Sequence, residues 1–376
     1  MSRPETPRPA RRPRYRGTHP RRFDDRYKER NPDRYPQIGD HIRAQGRTPA
    51  GSHVPVMLDE VLDVLDLAPG QVVVDATVGH GGHAAALLDR LGPHGFLVAV
   101  DHDDAELERT RQRFQRERPG APIRFVRSHF AGLGKVQADL APQGFDAILA
   151  DLGVSSMHLD DPKRGFSYKF DGPLDMRMDR RGSKSAASLL ATLSEDELSE
   201  LFRRFGDEPN HVRIAKKIVE RRVAEPFTRT KQLVQLIFHA AKITPEEWKA
   251  KVQAEPGALH PAARVFQALR MTVNDELGQL EHLLRIAPWC LAPGGRIAIL
   301  SFHSGEDGRV AEAIAQGLSE GVWEAGSTEA IRPLVAERRG NPRSASARLR
   351  WARKIGGARS SESDPAPEAL TPPEPA

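Results

Sequence analysis

The sequence predicts an α/β fold, in which a parallel sheet covered by helices is interrupted by a wholly helical insertion. Three observations predict it. Short apolar runs at 71–77, 96–100, 123–126, 145–150 and 296–301 read as buried strands, and helical patterns lie between them. A glycine-rich turn, Gly79 to Gly82, joins the first run to its helix. From about Met157 to Ala287 the strand pattern stops and only helical stretches remain.

The bulk properties agree with this reading. The chain has 376 residues, 39% apolar and 28% charged, which excludes a wholly disordered polymer and leaves material for a sizeable core. No apolar run approaches the length of a membrane span. The single cysteine, Cys290, excludes an internal disulfide and a cysteine-based zinc site, and fits a reducing cytoplasm. The net charge of +5 is unevenly spread. Residues 1–50 hold 14 basic and 6 acidic side chains, and residues 356–376 hold one basic and four. The stretch 51–355 is left with 41 of each, so the body is neutral.

In chain order, residues 1–50 mix proline and arginine with few aliphatic groups and are predicted to be a disordered basic arm. Arg11-Arg12 lacks the apolar stretch that a twin-arginine signal needs. Order is expected from His53. Val56, Leu58, Val61, Leu62 and Leu65 share a helical face that Pro69-Gly70 ends. The strand at 71–77 leads through the glycine turn to a helix at 83–91. The strand at 96–100 leads to a charged helix at 105–118, and strands at 123–126 and 145–150 follow. Helices are expected at 194–205, 211–223, 231–241 and 262–284, then a turn at 291–295 and a strand at 296–301. A tail from Gly356, rich in proline, serine and glutamate, is predicted to be disordered.

The chemistry concentrates in Asp75-Ala-Thr-Val-Gly79-His-Gly81-Gly82-His83. Its glycines let backbone approach a ligand, and the helix that follows offers free N–H groups to an anion. Asp101, about 20 residues on, is placed to grip a ribose. Gly79-x-Gly81-x-x-Ala84 also satisfies the dinucleotide fingerprint, so the loop alone admits a nicotinamide cofactor as well as S-adenosylmethionine. Asp75 at the strand end, suited to an ammonium group, and the polar strand end Asp151 to Ser156 tilt the balance to the latter. His80 and His83 lie three apart without a third ligand in view, so no metal is expected.

The chain resembles bacterial 16S rRNA (cytosine-N4)-methyltransferases of the RsmH/MraW type. The resemblance rests on His53 to Glu60, Asp75 to His83, Asp101-His-Asp103, Asp151 to Ser156, Arg164 to Tyr168 and Pro173 to Asp179. It continues through His260 to Met271, Ser301-Phe-His-Ser304 and Asn341 to Arg350. It covers about 53–355 and implies a Rossmann-like class I S-adenosylmethionine-dependent methyltransferase sheet with an inserted all-helical domain. The methyltransferase domain would comprise 51–156 and 288–355, and a helical substrate-recognition insertion 157–287. The implied cofactor is S-adenosyl-L-methionine, bound by Gly81, Gly82, His83, Asp101, Phe130, Asp151 and His158. His158 stands where the family often has glutamine.

The implied reaction methylates N4 of a cytidine in the P-site region of 16S rRNA within the 30S subunit. A methyltransferase acting on another RNA, a protein or a small molecule is the alternative, and a non-enzymatic RNA-binding factor on the same fold is a further one. The cytidine amine is a weak nucleophile, and Asp151 is the candidate acceptor for its hydrogens. Ser155, Ser156 and His303 are weaker candidates for that pocket. Residues 163–184 are net +4 with Phe166, Tyr168 and Phe170 interleaved, and 332–354 adds eight basic residues against one acid. Arg164 and Arg177 in the first patch are expected to bind RNA. Arg264, Gln267 and Asn274, opposite the apolar face of helix 262–284, are expected to look into the cleft.

Overall fold

The computed structural model describes residues 55–356 apart from 155–158, 160, 183, 256 and 257. Helix α1 (Leu58–Leu65) buries Val61 and Leu65 and stops where Asp66 turns left-handed. Strands and helices then alternate as β1 (Val72–Asp75), α2 (Gly82–Leu91), β2 (Phe96–Asp101), α3 (Asp104–Glu117), β3 (Ile123–Arg127), α4 (Leu133–Leu140) and β4 (Phe145–Asp151). Val73, Val74, residues 97–100 and residues 147–150 have no exposed surface, which explains their continuous apolar character.

The next helices are α5 (Ala186–Thr192), α6 (Glu195–Gly206), α7 (His211–Arg222), α8 (Thr230–Ala241), α9 (Pro245–Ala254) and α10 (Ala263–Val273). The chain then runs through α11 (Glu276–Cys290), β5 (Leu291–Ser301), α12 (Ser304–Ser319), β6 (Trp323–Gly326), α13 (Val335–Gly340) and β7 (Arg348–Lys354).

The seven strands form one sheet in the order β3-β2-β1-β4-β5-β7-β6, a Rossmann-like α/β sheet. β1 to β5 run parallel, and β7 lies antiparallel between β5 and β6. Strand order reverses between β1 and β4, so a crevice opens at their carboxyl ends. Residues from α4, α11 and α12 fill one sheet face, and residues from α1, α2 and α3 fill the other. A separate core joins Phe166, Leu174, Met176 and Met178 to apolar residues of α5 to α8 and α10.

Three expectations are corrected. The helix expected over 262–284 is two, α10 and α11. Asn274 and the left-handed Asp275 (φ +48°) break it, and α11 packs on the sheet through Leu280, Leu283 and Ala287. The turn expected at 291–295 is a bulge inside β5, where Leu291 pairs with Phe145 and Arg296 with Ala147. The basic stretch 332–354 contains β7, whose charges are engaged within the fold. Arg348 and Arg350 pair with Asp307, Arg353 pairs with Glu324, and Lys354 donates to the Leu291 carbonyl. β6, α4, α5, α9, α12 and α13 were not anticipated; glycines at 305, 308 and 317 weaken the helical signal of α12.

Candidate functional site

β1 and β4 end on Asp75 and Asp151, on adjacent strands, Asp75 opposite Leu149 in the register. Asp75 is buried. Its Oδ1 accepts the Thr77 N–H at 3.1 Å, while its buried Oδ2 has no hydrogen-bond partner among the described residues. The Asp151 backbone N–H donates to Thr77 Oγ1 at 2.7 Å, and its side chain is 28% exposed at the crevice. Between them and the helices stands His83, the second residue of α2. Its Nε2 is 3.1 Å from the Val56 carbonyl oxygen and its Nδ1 is 3.7 Å from Asp151 Oδ2.

The glycine turn has a steric reason. Gly81 has φ +67°, and a β-carbon there would lie 2.7 Å from the Phe114 ring and 2.9 Å from Thr110. Asp101 ties the turn to β2, because its Oδ2 accepts the Gly79 N–H and its Oδ1 the Asp103 N–H, both at 2.9 Å. Beyond it runs a row of rings, His102 to His129 at 4.8 Å and His129 to Phe130 at 4.1 Å. His102 and His129, with Arg177, Asp179 and Asn274, border a recess of about 290 Å³ between the sheet edge and the helical insertion.

Electrostatics set the acids apart. Burial pushes the Asp75 carboxyl up to about 7, the Thr77 N–H opposing and the Asp101 charge adding to it. Burial, then the charges of Asp75 and Glu306, push Asp151 up to about 8. Burial holds His83 down at about 4 against the Val56 hydrogen bond, so the imidazole is neutral at pH 7. A ligand with a cationic end, a ribose diol and a flat base would meet the two acids, then Asp101, then the ring row. The orphaned Asp75 oxygen is the mark of the cationic end.

Behind Asp151, sequence reasoning overlooked two acids. His303 caps α12, its Nδ1 accepting the Glu306 N–H at 3.3 Å, and its Nε2 lies 3.1 Å from Glu306 Oε1. Burial would raise the Glu306 carboxyl, but the hydrogen bond and charge of His303 outweigh it and hold it low. Glu276, raised by burial against the pull of Arg270, completes a cluster whose ligating atoms lie within 4.8 Å of one another. The spacing of His303 and Glu306, three apart at a helix start, was the available signal.

Of the candidate RNA-binding residues, Arg177 and Asn274 border the recess while also bonding within the protein. Arg164 is buried, bonds Asp103 Oδ2 at 2.8 Å and also donates to the carbonyls of Arg177 and Met178. Arg177 is bidentate on Asp175 and donates to the carbonyls of Arg180 and Gly182. Asn274 bonds Met176 and Met178 of the same loop, and Gln267 reaches the Phe205 carbonyl at 3.4 Å. Arg264 is half-buried where α10 crosses α6. The polar face of α10 thus joins elements of the insertion together. Phe166 is buried and Tyr168 stacks on His260 at 4.2 Å. His158, Ser155, Ser156, the arm 1–50 and the tail from 357 lie outside the described residues.

A family model described as the MraW methylase family matches residues 50–355. Ribosomal RNA small subunit methyltransferase H 2 of Alkaliphilus metalliredigens is 41% identical over 92% of this chain and 97% of its own. Ribosomal RNA small subunit methyltransferase H 1 of Agathobacter rectalis is 39% identical over 91% and 97%. Among solved structures, TrmN from Thermus thermophilus aligns with a TM-score of 0.37 at 16% identity, over 81% of this chain and 50% of that one.

Proposed function

The chain belongs to the MraW methylase family, and on that premise we propose that it methylates N4 of one cytidine in the P-site region of small-subunit rRNA. When bound, S-adenosylmethionine supplies the electrophilic methyl group. Asp75 would meet its ammonium group, Asp101 its ribose hydroxyls, and Phe130 would flank its adenine. The observation that carries this reading is the buried, partnerless Asp75 Oδ2 beside Asp151 at the strand-order reversal.

Methylating an exocyclic amine requires N4 to shed a proton as the new N–C bond forms. Asp151, the acid at the crevice with an exposed edge, accepts it. With its carboxyl at about 8 Asp151 is mostly protonated at pH 7 in the cofactor-free protein, and the positive charge of the bound cofactor would lower it so that an ionised carboxylate is there to accept the proton. The sheet and its helices form the catalytic unit, to which α11 belongs because it packs on the sheet, and the helical insertion before α11 shapes the rRNA site. The substrate is 16S rRNA within the 30S subunit, in the cytoplasm. Among the described residues no helix is long and apolar enough to cross a membrane.

Asp151→Asn tests the acceptor. Turnover on small subunits lacking the mark should fall at least a hundredfold, while S-adenosylhomocysteine affinity by calorimetry stays within a few-fold. Equal losses in both would assign Asp151 to cofactor binding alone. Mass mapping of 16S rRNA from a deletion strain tests the target: the N4-methyl mark should vanish.

A further inference from the structure

We propose that His83 is a positioning residue for Asp151: the Val56 carbonyl fixes its tautomer so that a bare Nδ1 accepts a hydrogen bond from Asp151 once that carboxyl has taken the substrate proton. The inference rests on the reading of Asp151 as acceptor.

The tautomer follows from valence. A backbone carbonyl can only accept, so His83 Nε2, 3.1 Å from Val56 O, carries the hydrogen. A neutral imidazole has one N–H, so Nδ1 presents a lone pair to Asp151 Oδ2, 3.7 Å away. Two lone pairs at that distance repel while Asp151 is ionised. An Asp151 O–H turns the same geometry into attraction, and an approach of about half an ångström completes the bond. Burial of His83 keeps the ring neutral, and therefore an acceptor, through the working pH range.

The other titratable groups facing Asp151 act differently. Asp75 on β1 and Glu306 on α12 are carboxyls whose negative charges oppose its own, and each accepts a backbone N–H, Asp75 from Thr77 and Glu306 from Phe302. His83 is a neutral acceptor and ties the carboxyl to the Val56 carbonyl. The proton passes from N4 to an Asp151 oxygen, is held there facing Nδ1, and leaves to solvent from the exposed edge of the carboxyl.

Imidazole ¹⁵N spectra of the full chain, with His83→Ala for assignment, should show His83 protonated at Nε2 and bare at Nδ1 from pH 6 to 8. An Nδ1–H tautomer or a doubly protonated ring at pH 7 overturns the proposal. Carboxyl ¹³C titration, with Asp151→Asn for assignment, should show Asp151 titrating at lower pH in His83→Ala, which removes the acceptor and admits water. His83→Gln, whose amide can donate to Val56 and accept from Asp151, should leave that titration near the native one. In turnover, His83→Ala should lower kcat about tenfold to a hundredfold with KM for small subunits unchanged, and His83→Gln should recover most of it. An unmoved Asp151 titration in His83→Ala overturns the proposal whatever happens to kcat. Retained turnover in Asp151→Asn would instead remove the acceptor reading, and the spectra would still decide the His83 contact.

Discussion

At the residue scale, the acids at the strand ends trade stability for a charged ligand. Asp75 and Asp151 hold their protons more tightly folded than unfolded, so their contribution is full below the ordinary carboxyl range. It is lost as pH rises from about 4 to about 8, where the folded carboxyls ionise. The cofactor-free protein should therefore melt at progressively lower temperature between pH 5.5 and 8. Asp75→Asn should flatten that decline in calorimetric scans. Arg164 makes a different bargain. Its guanidinium is consumed by buried Asp103, which also caps α3. Arg164→Ala removes the ion pair from that buried acid and should cost about 3–5 kcal/mol in urea unfolding. Asp75, Asp101 and Asp151 were legible in the sequence because each ends an apolar strand, a local pattern. The Val56–His83–Asp151 contact was not, because it joins three segments that only the fold brings together.

At the element scale, the strands were legible wherever burial on both faces kept them apolar. β7 was not, because Arg348, Arg350, Arg353 and Lys354 disguise it as a basic surface; their charges find Asp307, Glu324 and a carbonyl only after the sheet assembles. Helix α10 was legible as amphipathic, but the destination of its polar face was not. Amides serve equally to hold a nucleotide or a neighbouring loop, and here Asn274 holds the loop at Met176 and Met178. Where α10 crosses α6, Gly206 lets the backbones meet: a β-carbon there would lie 2.6 Å from the Arg264 carbonyl oxygen. Alanine ordinarily favours a helix, but here the clash decides the sign. Gly206→Ala should destabilise by about 1–3 kcal/mol, read as a lower melting temperature.

At the scale of the whole molecule, charge and fold are separated. The globular body is neutral, and several of its basic side chains are already paired inside it, so residues 1–50, net +8, carry the excess. Removing them should weaken small-subunit binding and flatten its salt dependence, measured by filter binding across a salt series. The methylated position should not change, since phosphate contacts position without specifying. The proposed rRNA-binding side chains of the insertion were the least legible feature, because a count of arginines does not distinguish a guanidinium facing solvent from one bound to Asp175 or Asp103.

The place of β7 has a consequence for biosynthesis. Six residue pairs join it to β5, from Arg296–Arg353 to Ser301–Arg348, and β6 leans on its other side. During translation β5 emerges well before the strand that covers its flank. Until 348–354 follow, it presents an open row of amides and carbonyls that any other extended chain could occupy. The nascent protein would thus carry its whole ligand crevice while its sheet still has an open flank, and maturation awaits nearly the last of the described residues.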